Sequence, residues 1–386
     1  LCAQVRYIDY PSPFHSTVGH SGMVVSQNQA SSDIGIQILD MGGNAIDAAV
    51  AVGFSLAITL PRAGNLGGGG FMLVYLKEID KTIAVDFRSA APKNISNDDF
   101  LFLKNNYDQR RYGYKASGVP GTVAGLLQTH ERYGKLPLKK ILQPVIKQAS
   151  NGIEVSYDLH QAIGSANQIN LDKESKKIYL EKQKPIKAHV LMRRSDLVWT
   201  LREIAKNGEE AFYSGSIAKK IVKAMSKNGG YITASDLQEY RPRFAEPIQT
   251  TYRGYKVLAH PPPAGGAAVL LEGLNILENF DLLNLGHNRS DYVRIVCEAM
   301  KRATIDKDLF VGDPNFLTVP TEHLIDKKYA FEQSNDIRNG KIADVQRLNA
   351  KIESKDTTHV SVIDSNGNAV SMTHSLGMPS GVITPG

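Results

Sequence analysis

The stretch that decides the fold occupies positions 356–371 and reads Asp356-Thr357-Thr358-His359-Val360-Ser361-Val362-Ile363-Asp364-Ser365-Asn366-Gly367-Asn368-Ala369-Val370-Ser371. Polar and apolar side chains alternate from His359 to Val362, a period of two that predicts a β-strand. A second predicted strand covers Ala369–Ser375. The Asp-Ser-Asn-Gly run between them predicts a tight hairpin turn, because aspartate suits the first turn position and Gly367 can take the left-handed conformation of a three-residue loop.

The length of this loop fixes which residues face each other. A three-residue loop closed by Gly367 places Thr357 opposite Ser375, whereas a two-residue loop places Ser375 opposite Thr358. Directly opposed residues lie about 4.5–5.5 Å apart at their β-carbons. In the first register, Ser375 can therefore hydrogen-bond the Thr357 hydroxyl and orient it. A serine that only faces solvent is the alternative interpretation.

Thr357 is the candidate nucleophile. A threonine hydroxyl is a weak nucleophile that needs a base. If the bond before Thr357 breaks, its freed α-amine, with a reference pKa of about 7.7–8.0, supplies that base on the same residue. An ordinary exposed hairpin is the alternative, since threonine favours strands.

Motifs over most of the chain are similar to those of one family. Residues 357–364 and 367–371 resemble the start of the small subunit of the γ-glutamyltranspeptidases, which are N-terminal nucleophile hydrolases that mature by cutting themselves before a threonine. Each further motif is weak alone, but together and in order they identify the chain as a member of this family. They are Gly22-Met23-Val24-Val25-Ser26, residues 42–50, residues 64–72, Asp86-Phe87-Arg88 with Ala91-Pro92, residues 119–125, Tyr252-Arg253-Gly254-Tyr255, Pro261-Pro262-Pro263 and Leu285-Gly286-His287-Asn288.

The resemblance implies an α+β fold, a four-layer αββα sandwich in which two central sheets lie between helical layers, with a helical middle region. It divides the chain into a large-subunit region, 1–356, whose helix-rich lobe covers about 125–243, and the start of a small-subunit region, 357–386. The family's small subunit runs further and supplies acidic, serine and glycine pairs that bind substrate and oxyanion. We therefore expect the active site to be complete only with residues beyond Gly386.

The resemblance also implies a self-processing γ-glutamyltransferase and glutathione hydrolase. In such an enzyme the Thr357 hydroxyl first attacks the carbonyl of Asp356, and water cleaves the resulting ester. Thr357 then attacks the γ-carbonyl of glutathione or another γ-glutamyl compound, and the γ-glutamyl-enzyme ester passes to water, an amino acid or a peptide. No cofactor is implied. The large and small chains are expected to stay associated after self-cleavage.

Three residues are implied as substrate contacts. The resemblance assigns Arg88 to the α-carboxylate of the γ-glutamyl group, and a guanidinium matches a carboxylate through two parallel hydrogen bonds. A structural ion pair with Asp86 is the alternative role for Arg88. Ser375 stands where the family usually has Thr and keeps the hydroxyl. Gly377 stands where many members have Asn, which leaves one contact to the amino-acid head of the substrate open.

Two other functions fit the same motifs. One is an acylase for cephalosporin or glutaryl side chains, because the far carboxylate of a glutaryl group could occupy the same arginine. The α-amine of the substrate distinguishes a γ-glutamyl donor from a glutaryl amide, because a glutaryl group lacks this amine. The other is an uncleaved fragment or pseudoenzyme with a structural role.

Composition excludes several further classes. The 386 residues are 42% hydrophobic and 22% charged, as in soluble globular proteins. The net charge is +6, but no basic run interleaved with aromatic residues indicates nucleic acid. No histidine spacing indicates zinc, and the glycines of residues 64–70 lack the Lys-Ser/Thr of a phosphate loop, so they are expected to let backbones pack closely. Leu1-Cys2-Ala3-Gln4 resembles the end of a secretory signal, so a periplasmic or secreted location is expected.

Several element predictions bear on the site. A helix over 33–41 is predicted to be capped by Ser31 or Ser32, and a short helix over 233–240 by Thr233 or Ser235. A helix over 290–310 contains Cys297, whose thiol is expected to be buried.

Overall fold

A computed structural model describes residues 17–166, 173–346, 357–376 and 383–385. Within those residues the chain forms twelve strands and sixteen helices, with 3₁₀ turns at Lys77–Ile79 and Tyr114–Ala116. The strands are β1 (Met23–Val25), β2 (Gly69–Leu76), β3 (Lys81–Asp86), β4 (Ile153–Glu154), β5 (Leu180–Glu181), β6 (Lys184–Pro185), β7 (Leu191–Met192), β8 (Arg243–Ala245), β9 (Ile248–Tyr252), β10 (Tyr255–Ala259), β11 (Thr357–Ile363) and β12 (Ala369–Ser375).

The helices vary from single turns to one of six turns. They are α1 (Gln29–Asp40), α2 (Ala45–Thr59), α3 (Asn97–Asn105), α4 (Tyr107–Arg111), α5 (Thr122–Tyr133), α6 (Leu138–Asn151), α7 (Tyr157–Ser165), α8 (Lys173–Tyr179), α9 (Ser195–Tyr213), α10 (Ser216–Asn228), α11 (Ala234–Glu239), α12 (Gly265–Leu277), α13 (Leu282–Leu285), α14 (Ser290–Phe310), α15 (Thr321–Leu324) and α16 (Lys327–Arg338). None of the helices in the described part of the chain is long and apolar enough to span a membrane.

The main sheet has six strands in the order β1-β11-β12-β2-β3-β8, and every neighbouring pair is antiparallel. The two strands that follow position 356 are therefore inserted between strands from the beginning of the chain. Alternation along the strands gives the sheet two faces. One face carries apolar residues such as Val360 and Met372, both fully buried, and α2 packs against it. Every residue of α2 is buried, which makes this helix the centre of the core.

The opposite face of the main sheet looks toward a second, smaller sheet. This sheet is the hairpin β9–β10, and α12, with α14 and α16 behind it, packs on its far side. A cavity of about 840 Å³ separates the two sheets, and both line it, for example through Ser361 and Leu258. The layers thus run helix, sheet, sheet, helix, so the α+β sandwich of the N-terminal nucleophile hydrolase type is confirmed.

The structure corrects the predicted start of α1. The helix begins at Gln29, and its N-cap is Asn28, whose side chain accepts the Ser31 N–H at 3.2 Å. Ser31 lies inside the helix, and its hydroxyl bonds that of Thr59 at 2.7 Å in the core. Local sequence favours Ser31 as a cap because its buried partner, Thr59, is distant in the sequence.

Cys297 is also placed differently from its prediction, because its thiol is exposed. The buried stripe of α14 instead contains Glu298, Arg302 and Asp306 together with apolar residues. Glu298 and Arg302 neutralise each other through an ion pair. An ion pair within the helix, four residues apart, therefore lets charged residues occupy the buried face that hydropathy assigned to others.

The cap of α11 follows its prediction. Thr233 is the N-cap, and its hydroxyl accepts the Asp236 N–H at 3.3 Å while the Asp236 carboxylate accepts the Thr233 N–H at 2.8 Å. Helices α5 to α11 fill most of the interval from Thr122 to Glu239, where the helix-rich lobe was predicted. The boundary between a large and a small subunit stays a prediction.

Candidate functional site

The hairpin β11–β12 has the register predicted for a three-residue loop. The Asp364 N–H donates to the Asn368 carbonyl, and the Gly367 N–H donates to the Asp364 carbonyl, both at 3.0 Å. Gly367 has φ of 82°, in the left-handed region that glycine adopts without strain. Thr357 is consequently paired with Ser375, as predicted.

The turn is anchored to the core by one buried carboxylate. Asp364 accepts the backbone N–H groups of Asn366 at 2.9 Å and Asn368 at 3.0 Å. It also accepts the N–H of Ala45, the first residue of α2, at 2.9 Å. A negative charge at a helix N-terminus is favourable because the first N–H groups of a helix lack partners. This contact ties the hairpin to the central helix.

The candidate nucleophile lies at the open end of the hairpin. The Thr357 hydroxyl donates to the Ser375 hydroxyl at 3.1 Å. Thr357 is exposed and Ser375 is half-buried. The bond orients the threonine hydroxyl. Both residues lie on the face of the sheet that looks toward β9–β10, because they alternate in step with Ser361 and Ser371 on the cavity wall.

The paired hydroxyls are part of a row that runs across the sheet. Ser375 is paired with Gly69 of β2. Phe71 is paired with Asp86 of β3, so continuing this antiparallel register places Gly69 opposite Arg88. Hydrogen bonds join Gly70 to Phe87 in both directions, at 3.0 and 3.3 Å, and carry the pairing beyond β3. The sequence-predicted residues Thr357, Ser375 and Arg88 are thus brought together from three strands.

Three consecutive glycines make this close packing sterically feasible. A β-carbon at Gly68 would lie 2.2 Å from the Ser375 carbonyl oxygen, and one at Gly69 would lie 2.3 Å from the Ser89 nitrogen. A β-carbon at Gly70 would lie 2.3 Å from the Thr373 oxygen. All three contacts are with backbone, which cannot swing away. The expected role of these glycines is confirmed, whereas Gly67 has no neighbour within 4 Å of its β position.

Arg88 is held by its main chain and exposes its side chain. Its N–H donates to the Asp86 carboxylate at 2.9 Å, and its carbonyl accepts the Tyr240 hydroxyl at 2.8 Å. The Asp86 carboxylate forms its ion pair with Arg243, at 3.3 Å. Among the residues that the structure describes, no carboxylate pairs with the Arg88 guanidinium. The alternative role of Arg88, an ion pair with Asp86, is therefore not the arrangement observed.

A buried polar pair lies directly behind Thr357 and Ser375. Thr358 and His374 face each other across β11 and β12, and both are almost completely inaccessible to solvent. Within the described ranges, neither the Thr358 hydroxyl nor either ring nitrogen of His374 has a hydrogen-bond partner. Burial lowers the pKa of His374 to about 4. His374 is therefore neutral at physiological pH, because a charge at this site would be desolvated.

A second histidine, His359, lies two residues from Thr357 on the cavity face. His359 Nδ1 bonds the Thr373 hydroxyl at 2.8 Å, and Nε2 bonds the Ser361 hydroxyl at 3.1 Å. Burial lowers the pKa of His359. Hydroxyl groups thus engage both ring nitrogens, so this histidine belongs to a hydroxyl network. In the described part of the chain, no group of three or more metal-ligating side chains occurs.

Two predicted site residues lie outside the described part of the chain. Other residues that contribute to the site could not be predicted from the sequence. Asp356 and Gly377 lie outside the described residues, so their roles stay predictions. The residue most clearly missed is Tyr240, which is 152 positions from Arg88 in sequence. No local spacing connects two residues so far apart, and only the fold shows their contact.

The chain was compared with known proteins. A family model described as gamma-glutamyltranspeptidase matches residues 31–386. The glutathione hydrolase proenzyme of Escherichia coli strain K12 is 41% identical over 378 residues, which cover 94% of this chain and 64% of that protein. The chain therefore spans somewhat less than two thirds of the length of this relative.

Solved structures give a consistent picture. The gamma-glutamyltranspeptidase of Helicobacter pylori has a TM-score of 0.78 and 36% identity, and the match covers 88% of this chain and 96% of that chain. A cephalosporin acylase from Bacillus halodurans has a TM-score of 0.82 and 28% identity, with coverage of 99% and 71%. Similarity thus extends to chains named for two different amide substrates.

Proposed function

Because this chain belongs to the γ-glutamyltranspeptidase family, we propose that it carries the nucleophile of a self-processing γ-glutamyltransferase and glutathione hydrolase. The single observation that supports this function best is the 3.1 Å hydrogen bond between the Thr357 and Ser375 hydroxyls. A nucleophile whose base is its own α-amine still requires a group that orients its hydroxyl, and Ser375 is positioned to do this. The proposal concerns the full-length protein.

The first reaction is cleavage of the chain before Thr357. Thr357 Oγ1 attacks the carbonyl carbon of Asp356, the C–N bond breaks, and the hydroxyl proton passes to the Thr357 nitrogen. The peptide thereby becomes an ester. Water hydrolyses the ester, which leaves a carboxylate on Asp356 and restores the Thr357 hydroxyl. The exposure of Thr357 supports access of water to this ester.

Turnover repeats the same chemistry on a substrate. The α-amine of Thr357 takes the proton from its own hydroxyl while the oxygen attacks the γ-carbonyl of the donor. The C–N bond of the donor breaks, the amine product leaves with that proton, and a γ-glutamyl ester remains on Thr357. Water or the amine of an acceptor amino acid or peptide then attacks the ester and releases glutamate or a new γ-glutamyl amide.

Arg88 is proposed to bind the α-carboxylate of the donor. Two strand spacings of about 4.8 Å each put the Arg88 backbone roughly 10 Å from that of Ser375. An extended arginine side chain and a γ-glutamyl group together span this distance, given bond lengths of about 1.5 Å. The exposed guanidinium can then hold the carboxylate through a bidentate pair. The donor would lie between Arg88 and Thr357, with its γ-carbonyl at the nucleophile.

The two chains made by self-cleavage are proposed to stay together. Strands β11 and β12 lie between β1 and β2, so both edges of the β11–β12 hairpin are hydrogen-bonded to the large-subunit region. The carboxylate of Asp364 adds a bond to the first residue of α2. Separation would break two strand pairings at once and expose buried apolar residues such as Val360 and Met372.

Self-cleavage is tested with the full-length protein on a denaturing gel, with mass spectrometry of the fragments. The expected result is a fragment whose first residue is Thr357, and its absence from an intact Thr357→Ala variant. Thr251→Ala removes a threonine hydroxyl from an exposed position of β9 and serves as the control. A Thr357→Ala protein that is cut at the same bond would contradict the proposal.

Turnover is tested by release of p-nitroaniline from γ-glutamyl-p-nitroanilide. Thr357→Ala is expected to abolish release, and Thr251→Ala to leave it unchanged. Continued release by the Thr357→Ala variant would show that another residue is the nucleophile. Release by a wild-type protein that stays uncut at position 357 would contradict the α-amine as base.

Amide hydrolysis of a glutaryl-type side chain is a second candidate, favoured by the similarity to a cephalosporin acylase. The carboxylate of glutaryl could occupy Arg88 as that of γ-glutamyl does. Glutaryl-p-nitroanilide lacks only the α-amine, so the two substrates form a matched pair. A higher kcat/KM for γ-glutamyl-p-nitroanilide supports the transferase function, and a higher value for the glutaryl compound supports the acylase.

A further inference from the structure

Two groups that do not belong to the row of Thr357, Ser375 and Gly69 hold the main chain of Arg88. The Asp86 carboxylate accepts the Arg88 N–H at 2.9 Å. The Tyr240 hydroxyl donates to the Arg88 carbonyl at 2.8 Å. The first contact comes from the last residue of β3, whereas the second comes from the residue that follows α11, 152 positions further along the chain. The helix-rich lobe therefore contacts the backbone of the proposed substrate arginine.

Tyr240 is well suited to hold this carbonyl. Its ring is buried and stacks on the ring of Tyr213, with the centroids 5.9 Å apart and the planes 11° apart. Burial, together with the negative charges of Asp86 and Glu209, raises the pKa of Tyr240. The hydroxyl therefore keeps its proton and remains a donor throughout the physiological pH range.

The Tyr240 hydroxyl lies so close to residue 121 that only glycine fits at that position. A β-carbon at Gly121 would lie 2.2 Å from the Tyr240 hydroxyl and 2.0 Å from the Phe87 carbonyl oxygen. Both distances are far below van der Waals contact. A glycine before α5 is therefore required for Tyr240 to reach the carbonyl of Arg88.

Helix α11 also holds the segment beyond Arg88. The Asp236 carboxylate accepts the Lys93 N–H at 3.0 Å, and the capping box of α11 fixes that carboxylate in place. Between the two anchors, Ala90 and Val119 form a bridge with hydrogen bonds of 2.8 and 3.2 Å. The segment 88–93 is thus held at both ends by the residues of α11 and its C-terminal neighbour.

We propose that Tyr240 is a positioning residue for donor binding, which acts by fixing the Arg88 carbonyl so that the guanidinium is presented to the α-carboxylate. This inference rests on the proposed role of Arg88. Tyr240 does not touch the substrate, so its loss is expected to weaken donor binding and to leave the chemistry at Thr357 intact. A purely structural tyrosine would instead change stability without a selective effect on KM.

Tyr213 provides a matched control in the same aromatic stack. It is equally buried, and its hydroxyl donates to the Pro120 carbonyl at 2.8 Å and accepts the Ala124 N–H at 3.1 Å. Its replacement by phenylalanine removes a buried tyrosine hydroxyl next to Tyr240 without touching Arg88. A general loss of stability in this region is expected in both variants. A change in the KM for the donor is expected only in Tyr240→Phe.

The experiment measures kcat and KM for γ-glutamyl-p-nitroanilide with the full-length protein. Tyr240→Phe is expected to raise KM about three- to tenfold, the equivalent of one net hydrogen bond, with kcat within about twofold of wild type. Tyr213→Phe is expected to keep both constants within about twofold. An unchanged KM in Tyr240→Phe, or an equal rise in Tyr213→Phe, would overturn the inference.

A double-mutant cycle separates this inference from the proposed function. If Tyr240 acts through Arg88, Tyr240→Phe adds no further rise in KM to the Arg88→Ala variant. A fully additive rise would show that Tyr240 acts by another route and would overturn the inference alone. If Arg88→Ala leaves KM unchanged, the proposed carboxylate contact fails, and this inference fails with it.

Discussion

Thr358 and His374 face each other across β11 and β12 with their side chains fully buried, one residue behind Thr357 and Ser375. A peptide bond joins Thr358 to Thr357 and His374 to Ser375, so the buried pair is adjacent in both strands to the two hydroxyl-bearing residues. The pair also carries three polar atoms without partners in the described part of the chain. The candidate nucleophile therefore lies next to a buried site that disfavours charge.

His374 is expected to make stability sensitive to acid. Its pKa is about 4 in the folded protein against 6.5 for the free side chain, so the unfolded state binds a proton more readily. Stability is complete above pH 6.5 and is lost as the pH falls from 6.5 to 4. At pH 4.5 the loss from this residue is about 2–3 kcal/mol.

His374→Gln removes this titration, and denaturant unfolding at pH 7 and pH 4.5 measures it. The variant is expected to lose less stability between the two pH values than wild type. His20→Gln changes an exposed histidine and is the control. An identical pH dependence in wild type and His374→Gln would contradict the prediction.

Ser375 is expected to act through its hydroxyl alone. Ser375→Ala removes the group that orients Thr357 Oγ1, so kcat for γ-glutamyl-p-nitroanilide is expected to fall about 10- to 100-fold. Ser375→Thr keeps a hydroxyl at the same register position and is expected to retain most of kcat. Steady-state kinetics of the two variants tests this. Equal damage by both substitutions would show that shape at position 375 matters more than the hydroxyl.

Gly69 is expected to be irreplaceable for steric reasons. A β-carbon there would lie 2.3 Å from the Ser89 nitrogen and 2.7 Å from the Phe87 oxygen, so Gly69→Ala must displace the backbone of Arg88. Such overpacking typically costs about 1–3 kcal/mol of stability. The displacement is also expected to raise KM for the donor.

Gly67→Ala is the matched control, because nothing lies within 4 Å of its β position. Thermal unfolding and donor KM of the two variants, measured together, test the steric argument. Equal behaviour of Gly69→Ala and Gly67→Ala would refute it.

A buried carboxyl pair between α12 and α14 is expected to limit stability at alkaline pH. Glu272 is fully buried, and burial together with the nearby Asp306 carboxylate raises its pKa. The Tyr329 hydroxyl donates to Asp306 at 2.6 Å, and the raised pKa means that the folded protein holds the proton of Glu272. Because the folded state binds this proton more tightly, stability falls as the pH rises above about 4.5.

Glu272→Gln keeps the shape of the side chain and removes the titration. Denaturant unfolding at pH 6 and pH 8.5 is expected to show a smaller loss of stability in the variant than in wild type, and greater stability than wild type at pH 8.5. Glu332→Gln, at an exposed position on α16, is the control. A variant that is less stable than wild type at pH 8.5 would indicate that the carboxylate has a stabilising partner.

Local chemistry explains why the hairpin could be predicted from the sequence. The register of two adjacent strands depends on one turn, and the turn depends on the left-handed conformation of Gly367 and on Asp364. Helix α14 was likewise predicted with its observed bounds, because its ends and period are local features. Two predictions were wrong because tertiary packing decides them: Cys297 is exposed, and Ser31 is buried inside α1 while Asn28 caps the helix.

The sequence by itself determined the family, the Thr357–Ser375 register and the need for small residues in the glycine segment, because these depend on motif order and on interactions between near neighbours. Only the tertiary structure decided that Gly69 separates Ser375 from Arg88, that Asp86 pairs with Arg243, and that Tyr240 holds the Arg88 carbonyl. The two side-chain contacts join residues 157 and 152 positions apart, and the strand pair joins residues that are further apart still. Such pairs are selected by the packing of whole layers against one another, and that packing leaves no periodic trace in the sequence.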